Sequence, residues 1–163
     1  MIEATDFRNA MSLLTSAVNV VTTIGASGRY GFTASAVCSV TDNPATLLVC
    51  MNKGSYLHSY FVEHKILAVN VLSAHHQLIS NVFSSKMNST ERFKHGVWTT
   101  LKTGAPVLAD SLASFDCQIE QIQAVGTHDI FICRVIAIQQ NRQDHSLVYF
   151  NRAYHHVGQA AAV

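Results

Sequence analysis

Gly31-Phe32-Thr33-Ala34-Ser35-Ala36-Val37-Cys38-Ser39-Val40 alternates small hydroxyl residues with apolar ones. Residues two apart share a face of a strand. Thr33, Ser35 and Ser39 therefore fall on one face, and Phe32, Ala34, Ala36 and Cys38 on the other. The stretch reads as one continuous half-buried strand. Outward from it, residues 18–24, 46–51, 66–72, 114–125, 130–138 and 147–150 also read as strands, rich in β-branched and aromatic residues. Gly25 to Gly28, Asp42-Asn43-Pro44 and Gly126 to Asp129 supply turns between them. Helices are fewer. Thr5 can cap one, with Phe7, Ala10, Met11 and Leu14 at core spacing. Ser55 can cap a second, short one through Tyr60, Phe61 and Val62, and residues 73–83 form a third. Residues 84–104 read as a long loop carrying Arg92, Phe93 and Trp98.

Many short strands joined by tight turns, with a few helices at their ends, predict a mainly β chain closed into an antiparallel barrel. A parallel sheet would show regular strand–helix alternation, and no G-x-G-x-x-G follows a strand, so a Rossmann site is not supported. The chain reads as one domain over 1–158, with 159–163 as a frayed tail.

Of the 163 residues, 48% are hydrophobic and 13% charged, which excludes disorder. It also leaves an apolar surface, best covered in a twofold homodimer. The net charge is +1 and no basic run exists, so nucleic acid is a poor partner. The apolar runs are too short to cross a bilayer, and residues 1–6 lack the apolar core of an export signal. A cytoplasmic location is the expectation. Cys38, Cys50, Cys117 and Cys133 form no C-x-x-C pair and sit in apolar runs, as buried reduced thiols would.

A row of hydroxyls both donates and accepts hydrogen bonds, which suits the edge of a flat heterocycle. Asn52-Lys53-Gly54-Ser55 lies just downstream, suited to a phosphate. Together they suggest a flavin nucleotide. Each part also has a plain reading: Ser and Thr often face solvent on strands, and most lysines are solvated. Asn70 interrupts an apolar strand, and a buried amide needs partners; a ligand edge or a neighbouring backbone could supply them. His128 follows a turn beside Thr127 and Asp129. The pairs His75-His76 and His155-His156 are expected to diverge and chelate poorly, so no metal is expected.

The blocks 7–11, 18–23, 31–42, 68–72 and 125–128 together resemble the short-chain flavin reductase family, the small components of two-component flavin monooxygenases. The likeness spans residues 5 to 157 and leans toward reductases serving pyrimidine-ring utilisation and 4-hydroxyphenylacetate hydroxylation. It implies a split β-barrel of antiparallel Greek-key type, dimeric, with flavin near the subunit boundary. It further implies that NADH reduces FMN, or FAD, which then diffuses to a separate monooxygenase. By matching position, Thr33, Ala34, Ser35, Ala36 and Ser39 would contact the flavin ring or ribityl chain. Asn52, Lys53 and Ser55 would hold the phosphate, and Ala68, Val69 and Asn70 would border the ring. His128, Tyr154 and Arg152 would line the nicotinamide side. A non-catalytic flavin- or haem-binding protein on the same barrel is the competing expectation.

Overall fold

The computed structural model describes residues 1–141 and 145–158. The tail expected at 159–163 lies outside them. Helix α1 (Ala4–Met11) precedes β1 (Ser16–Ala17), β2 (Asn19–Gly25), β3 (Gly28–Ala34), β4 (Val37–Asp42) and β5 (Ala45–Asn52). Then come α2 (His58–His64), β6 (Ile66–Val71), a 3-10 turn (Ala74–His76), α3 (Gln77–Ser84) and α4 (Ser89–Arg92). The chain continues through β7 (Trp98–Thr100), β8 (Pro106–Leu108), β9 (Ala113–Val125), β10 (His128–Gln140), β11 (His145–Phe150) and β12 (Ala153–Gly158).

Seven strands pair antiparallel in the order β3-β2-β6-β9-β10-β5-β4. β3 and β4 are the outer strands of that order, yet only Ser35 and Ala36 separate them in the chain. Phe32 of β3 and Val37 of β4 pack against the same core as Val69 of β6 and Phe131 of β10. A flat sheet cannot bring its two edges to one core, so the sheet rolls into a barrel. Strands β2 to β5 run round it in sequence, and β6 returns beside β2, a Greek-key return. The smaller sheets β1-β11-β12 and β7-β8 flank it.

β2 explains why its sequence lacks alternation. Val21 points into the barrel core and Val20 into a second core beneath α3, with Phe83, Phe93 and Leu147; both valines are fully buried. A strand covered on both faces reads as a continuous apolar run. At Gly31 a Cβ would stand 2.8 Å from the Phe83 ring, so glycine lets α3 lie directly on β3.

Four expectations are corrected. The 31–40 stretch is two strands, broken at Ser35-Ala36, where the chain crosses from one edge of the sheet to the other. Helix α1 starts at Ala4 with Glu3 at its N-cap and buries none of its residues; Phe7, Met11 and Leu14 are exposed. The 84–104 segment contains α4, capped by Asn88, whose Oδ1 accepts the Glu91 N–H at 3.0 Å, and β7. Cys117 and Cys133 are buried, and desolvation pushes the Cys133 thiol up to about 12, but Cys38 is exposed and Cys50 half-buried. No helix among the described residues is long and apolar enough to cross a membrane.

Candidate functional site

The outer face of β3 and the break after it form one wall of a groove. Tyr30, Phe32 and Ala34 pack on the barrel core, so Thr33 is turned outward. Its Oγ1 donates to the Ser80 carbonyl in α3 at 2.6 Å. The Ser80 hydroxyl lies 2.7 Å from the Tyr154 hydroxyl, which fixes Tyr154 opposite Thr33. At the break, Val37 N–H donates to the Ser35 carbonyl and Cys50 N–H to the Ala36 carbonyl, both at 3.0 Å. Those bonds leave the Ser35 and Ala36 side chains exposed.

Three clefts join along this wall. The middle one, about 270 Å³, is lined by Thr33, Ala34, Ser35, Ser84, Tyr149 and Tyr154 among others. It shares Thr33 and Ser84 with a polar cleft of about 300 Å³ that adds Ser55, Ser85 and Arg92. It shares Ser35 and Tyr149 with a wider, apolar cleft of about 450 Å³ formed with Phe7, Met11 and Leu14.

Arg92 gives the polar cleft its charge. Its side chain is almost fully buried, and every described acceptor is a backbone carbonyl. Nε donates to Met87 at 2.9 Å, Nη1 to Gly31 at 2.7 Å and Phe83 at 3.2 Å, and Nη2 to Ser85 at 2.6 Å. Carbonyl dipoles solvate the guanidinium, and the ones at the end of α3 sit at the negative pole of that helix. None of these partners carries a compensating unit charge, so the cleft end favours an anion. Sequence reasoning missed Arg92, Ser84 and Ser85 as site residues because 84–104 read as a loop. The available signal was Asn88-Ser89-Thr90-Glu91, a helix start that aims Arg92 back at β3.

The remaining expected residues separate. Ser55 reaches the polar cleft, while Asn52 and Lys53 are exposed on the adjoining loop. Asn52 Oδ1 accepts Gly54 N–H at 2.8 Å, which shapes that loop. His128 opens β10 opposite Asn52, exposed, with Nδ1 2.9 Å from Thr127 Oγ1, and it is not in the lining of the middle cleft that holds Tyr154. Arg152 donates to Asn9 Oδ1 at 2.5 Å and ties the β11–β12 turn to α1. Ser39 lies beyond the break and lines a different apolar hollow with Leu47 and Phe115.

Ala68, Val69 and Asn70 are fully buried in β6, paired on both sides by β2 and β9. The Asn70 amide donates to the Val20 carbonyl at 3.0 Å, and its Oδ1 accepts Leu108 N–H at 2.8 Å and Ser114 Oγ at 2.7 Å. The barrel's own groups thus satisfy the Asn70 amide, which holds the interior together.

The groove's donors suit a molecule with a phosphate at one end and a flat polar ring in the middle. Hydroxyls and a guanidinium face the first part, and Thr33, Ser35 and two tyrosines face the second. Tyr149 and Tyr154 meet edge to face with centroids 5.4 Å apart. A flavin mononucleotide fits this donor set. Cys38 and Cys50 both line the apolar cleft, and burial and neighbouring Cys38 push the Cys50 thiol up, which keeps it protonated. The site is made for holding and orienting.

The chain is similar in sequence and fold to known flavin reductases. The curated protein FMN reductase (NADH) RutF of Bradyrhizobium diazoefficiens is 54% identical over 94% of this chain and 85% of its own length. That of Serratia proteamaculans is 53% identical over 94% of this chain and 88% of its length. The crystal structure of a putative flavin reductase from Haemophilus somnus superposes with a TM-score of 0.94 at 51% identity, covering 96% of this chain and all of that one. The family described as flavin reductase like domain matches residues 11–158, and this chain, with its rolled sheet and groove, belongs to that family.

Proposed function

We propose that this protein is an NADH-dependent flavin reductase that supplies reduced FMN, with FAD as a second flavin, to a separate flavin-dependent monooxygenase. The observation that carries the reading is the continuous groove running from buried Arg92 past Thr33 to Tyr154. The flavin when bound supplies the redox chemistry, taking a hydride at N5 from nicotinamide C4 and a proton from solvent as NADH becomes NAD+.

The chain's part is placement. Arg92, Ser55, Ser84 and Ser85 hold the phosphate, with Asn52 and Lys53 at its rim. Thr33, Ser35 and the backbone of Ala34 and Ala36 set the plane of the ring. Tyr154, fixed through Ser80, flanks the face that a nicotinamide must approach to about 3–3.5 Å. His128 and Arg152 complete the nicotinamide side once two chains associate. The exposed Phe7, Leu13 and Leu14, beside the widest cleft, favour a homodimer that covers them. The modest charge of the phosphate end suits a flavin that leaves after reduction.

Anaerobic mixing of the protein with NADH and FMN is expected to oxidise NADH and bleach the flavin's visible absorbance in equal amounts. Absence of NADH oxidation with FMN, FAD and riboflavin alike would reject the reading. Binding of flavin without NADH oxidation would identify a carrier instead.

A further inference from the structure

Behind the groove, one serine hydroxyl gathers two adjacent imidazoles. Ser73 Oγ lies 2.9 Å from His75 Nδ1 and 2.9 Å from His76 Nδ1. Neighbours on a 3-10 turn leave the axis about 120° apart. The shared contact overrides that divergence, and the rings sit with centroids 4.0 Å apart. Their far nitrogens then converge on one carboxylate. His75 Nε2 is 3.1 Å from Asp110 Oδ2, and His76 Nε2 is 3.2 Å from Asp110 Oδ1. Among the described residues this is the one group of three or more metal-ligating side chains whose donor atoms all lie within 4.8 Å. His76 is 2% exposed, and its buried Nε2 faces that carboxylate at 3.2 Å without good hydrogen-bond geometry.

We propose that His75, His76 and Asp110 bind a divalent cation of the zinc class through the two Nε2 atoms and a carboxylate oxygen. Imidazole nitrogen and carboxylate oxygen are the donors such ions take. Bonds of about 2.0–2.2 Å in a tetrahedral site put neighbouring ligand atoms about 3.3–3.5 Å apart. The two nitrogen–oxygen separations, 3.1 and 3.2 Å, need to open by only a few tenths of an ångström, and all three donor atoms already lie within 4.8 Å of one another. Ser73 N–H donates to His76 Nδ1 at 3.2 Å, which leaves the neutral ring's proton on Nε2. Ligation through Nε2 leaves the ring proton on Nδ1, where it donates to Ser73 Oγ and the bond from Ser73 N–H is given up. A hydroxyl oxygen has two lone pairs, so Ser73 can accept from both rings and hold both Nε2 atoms toward the ion. The side chains of His75 and Asp110 are 59% and 54% exposed, so a water completes the coordination from the open side. The ion would tie the turn before α3 to the segment before β9. Since α3 carries Ser80, this braces Thr33 and Tyr154 without touching the groove.

The test titrates chelator-treated protein with Zn2+ by calorimetry and with Co2+ by visible absorbance. One equivalent is expected to bind, with the intense visible bands of four-coordinate Co2+. Asp110→Asn and His75→Ala, both at exposed positions, are each expected to weaken binding at least tenfold. Zn2+ is expected to raise the Tm of the parent protein and to lose that effect in both variants, circular dichroism showing both still folded. No saturable binding, or binding of equal strength in the parent and both variants, would overturn the proposal.

Discussion

The hydroxyls at the end of β3 and the amide in the middle of β6 occupy similar contexts, small polar groups among Val, Ala and Phe, but different groups satisfy them. Asn70 is closed off by the Val20 carbonyl, the Leu108 amide and Ser114, and it is fully buried. Thr33 uses its hydrogen to hold Ser80 and keeps its lone pairs toward the groove, and Ser35 is exposed beside it. An apolar strand can therefore carry a polar group for two reasons, to knit neighbouring strands or to meet a ligand. Hydrogen-bond accounting separates the two where sequence pattern does not.

That contrast breaks most visibly if Asn70 is removed. Asn70→Ala strands the Leu108 N–H and takes a donor from the Val20 carbonyl, while Ser114 keeps its bond with Ser111. At about 1–3 kcal/mol for each buried group left short, a loss of about 2–4 kcal/mol is expected, read as a lower urea midpoint at unchanged slope. FMN affinity of the folded fraction should hold. An unchanged midpoint with lost FMN binding would move Asn70 back to the ligand.

Arg92 belongs to both classes, since its guanidinium knits carbonyls and charges the cleft. Arg92→Met is expected to cost about 2–3 kcal/mol of stability, as hydrogen bonds to a charged group do. At a temperature where the variant is folded, the FMN Kd should rise at least tenfold while the Kd for riboflavin, which lacks the phosphate, changes little. Equal losses for the two ligands would place the phosphate elsewhere.

Thr33→Val sharpens the other side. It removes one hydroxyl from the groove and one bond to Ser80, with stability expected to fall by about 1 kcal/mol and the FMN Kd to rise about fivefold. Ser35→Ala should raise the Kd by a smaller factor at constant Tm. The smallest effect is expected at His128, where His128→Ala should raise the NADH KM severalfold with the FMN Kd nearly unchanged. Parallel changes in both would contradict its place on the nicotinamide side.

The barrel was legible because it rests on local pattern. Val20 and Val21, Phe32 and Ala34, and the alternation along 114–125 each report a face, and faces define strands. The candidate groove was legible where it coincides with that pattern, at Thr33, Ser35 and Ser55, which line its clefts. It was not legible where the chain departs from it. The break at Ser35-Ala36 follows from rolling the sheet, a long-range event with no local mark, and it takes Ser39 to another hollow. Arg92 reaches the groove from a four-residue helix too short for a periodic signal. His75 and His76 converge through Ser73 and Asp110, partners that no spacing rule connects. Helix α1 kept its apolar spacing but buries none of it within one chain, so the spacing alone did not report the core.

The account stands most directly on where FMN sits. A crystal structure of the FMN complex is expected to show the ring against Thr33 and Ser35, Tyr154 beside it, and the phosphate within hydrogen-bonding distance of Ser55, Ser84, Ser85 or Arg92. A flavin seated in another cavity, with Thr33 and Ser35 facing only solvent, would contradict it.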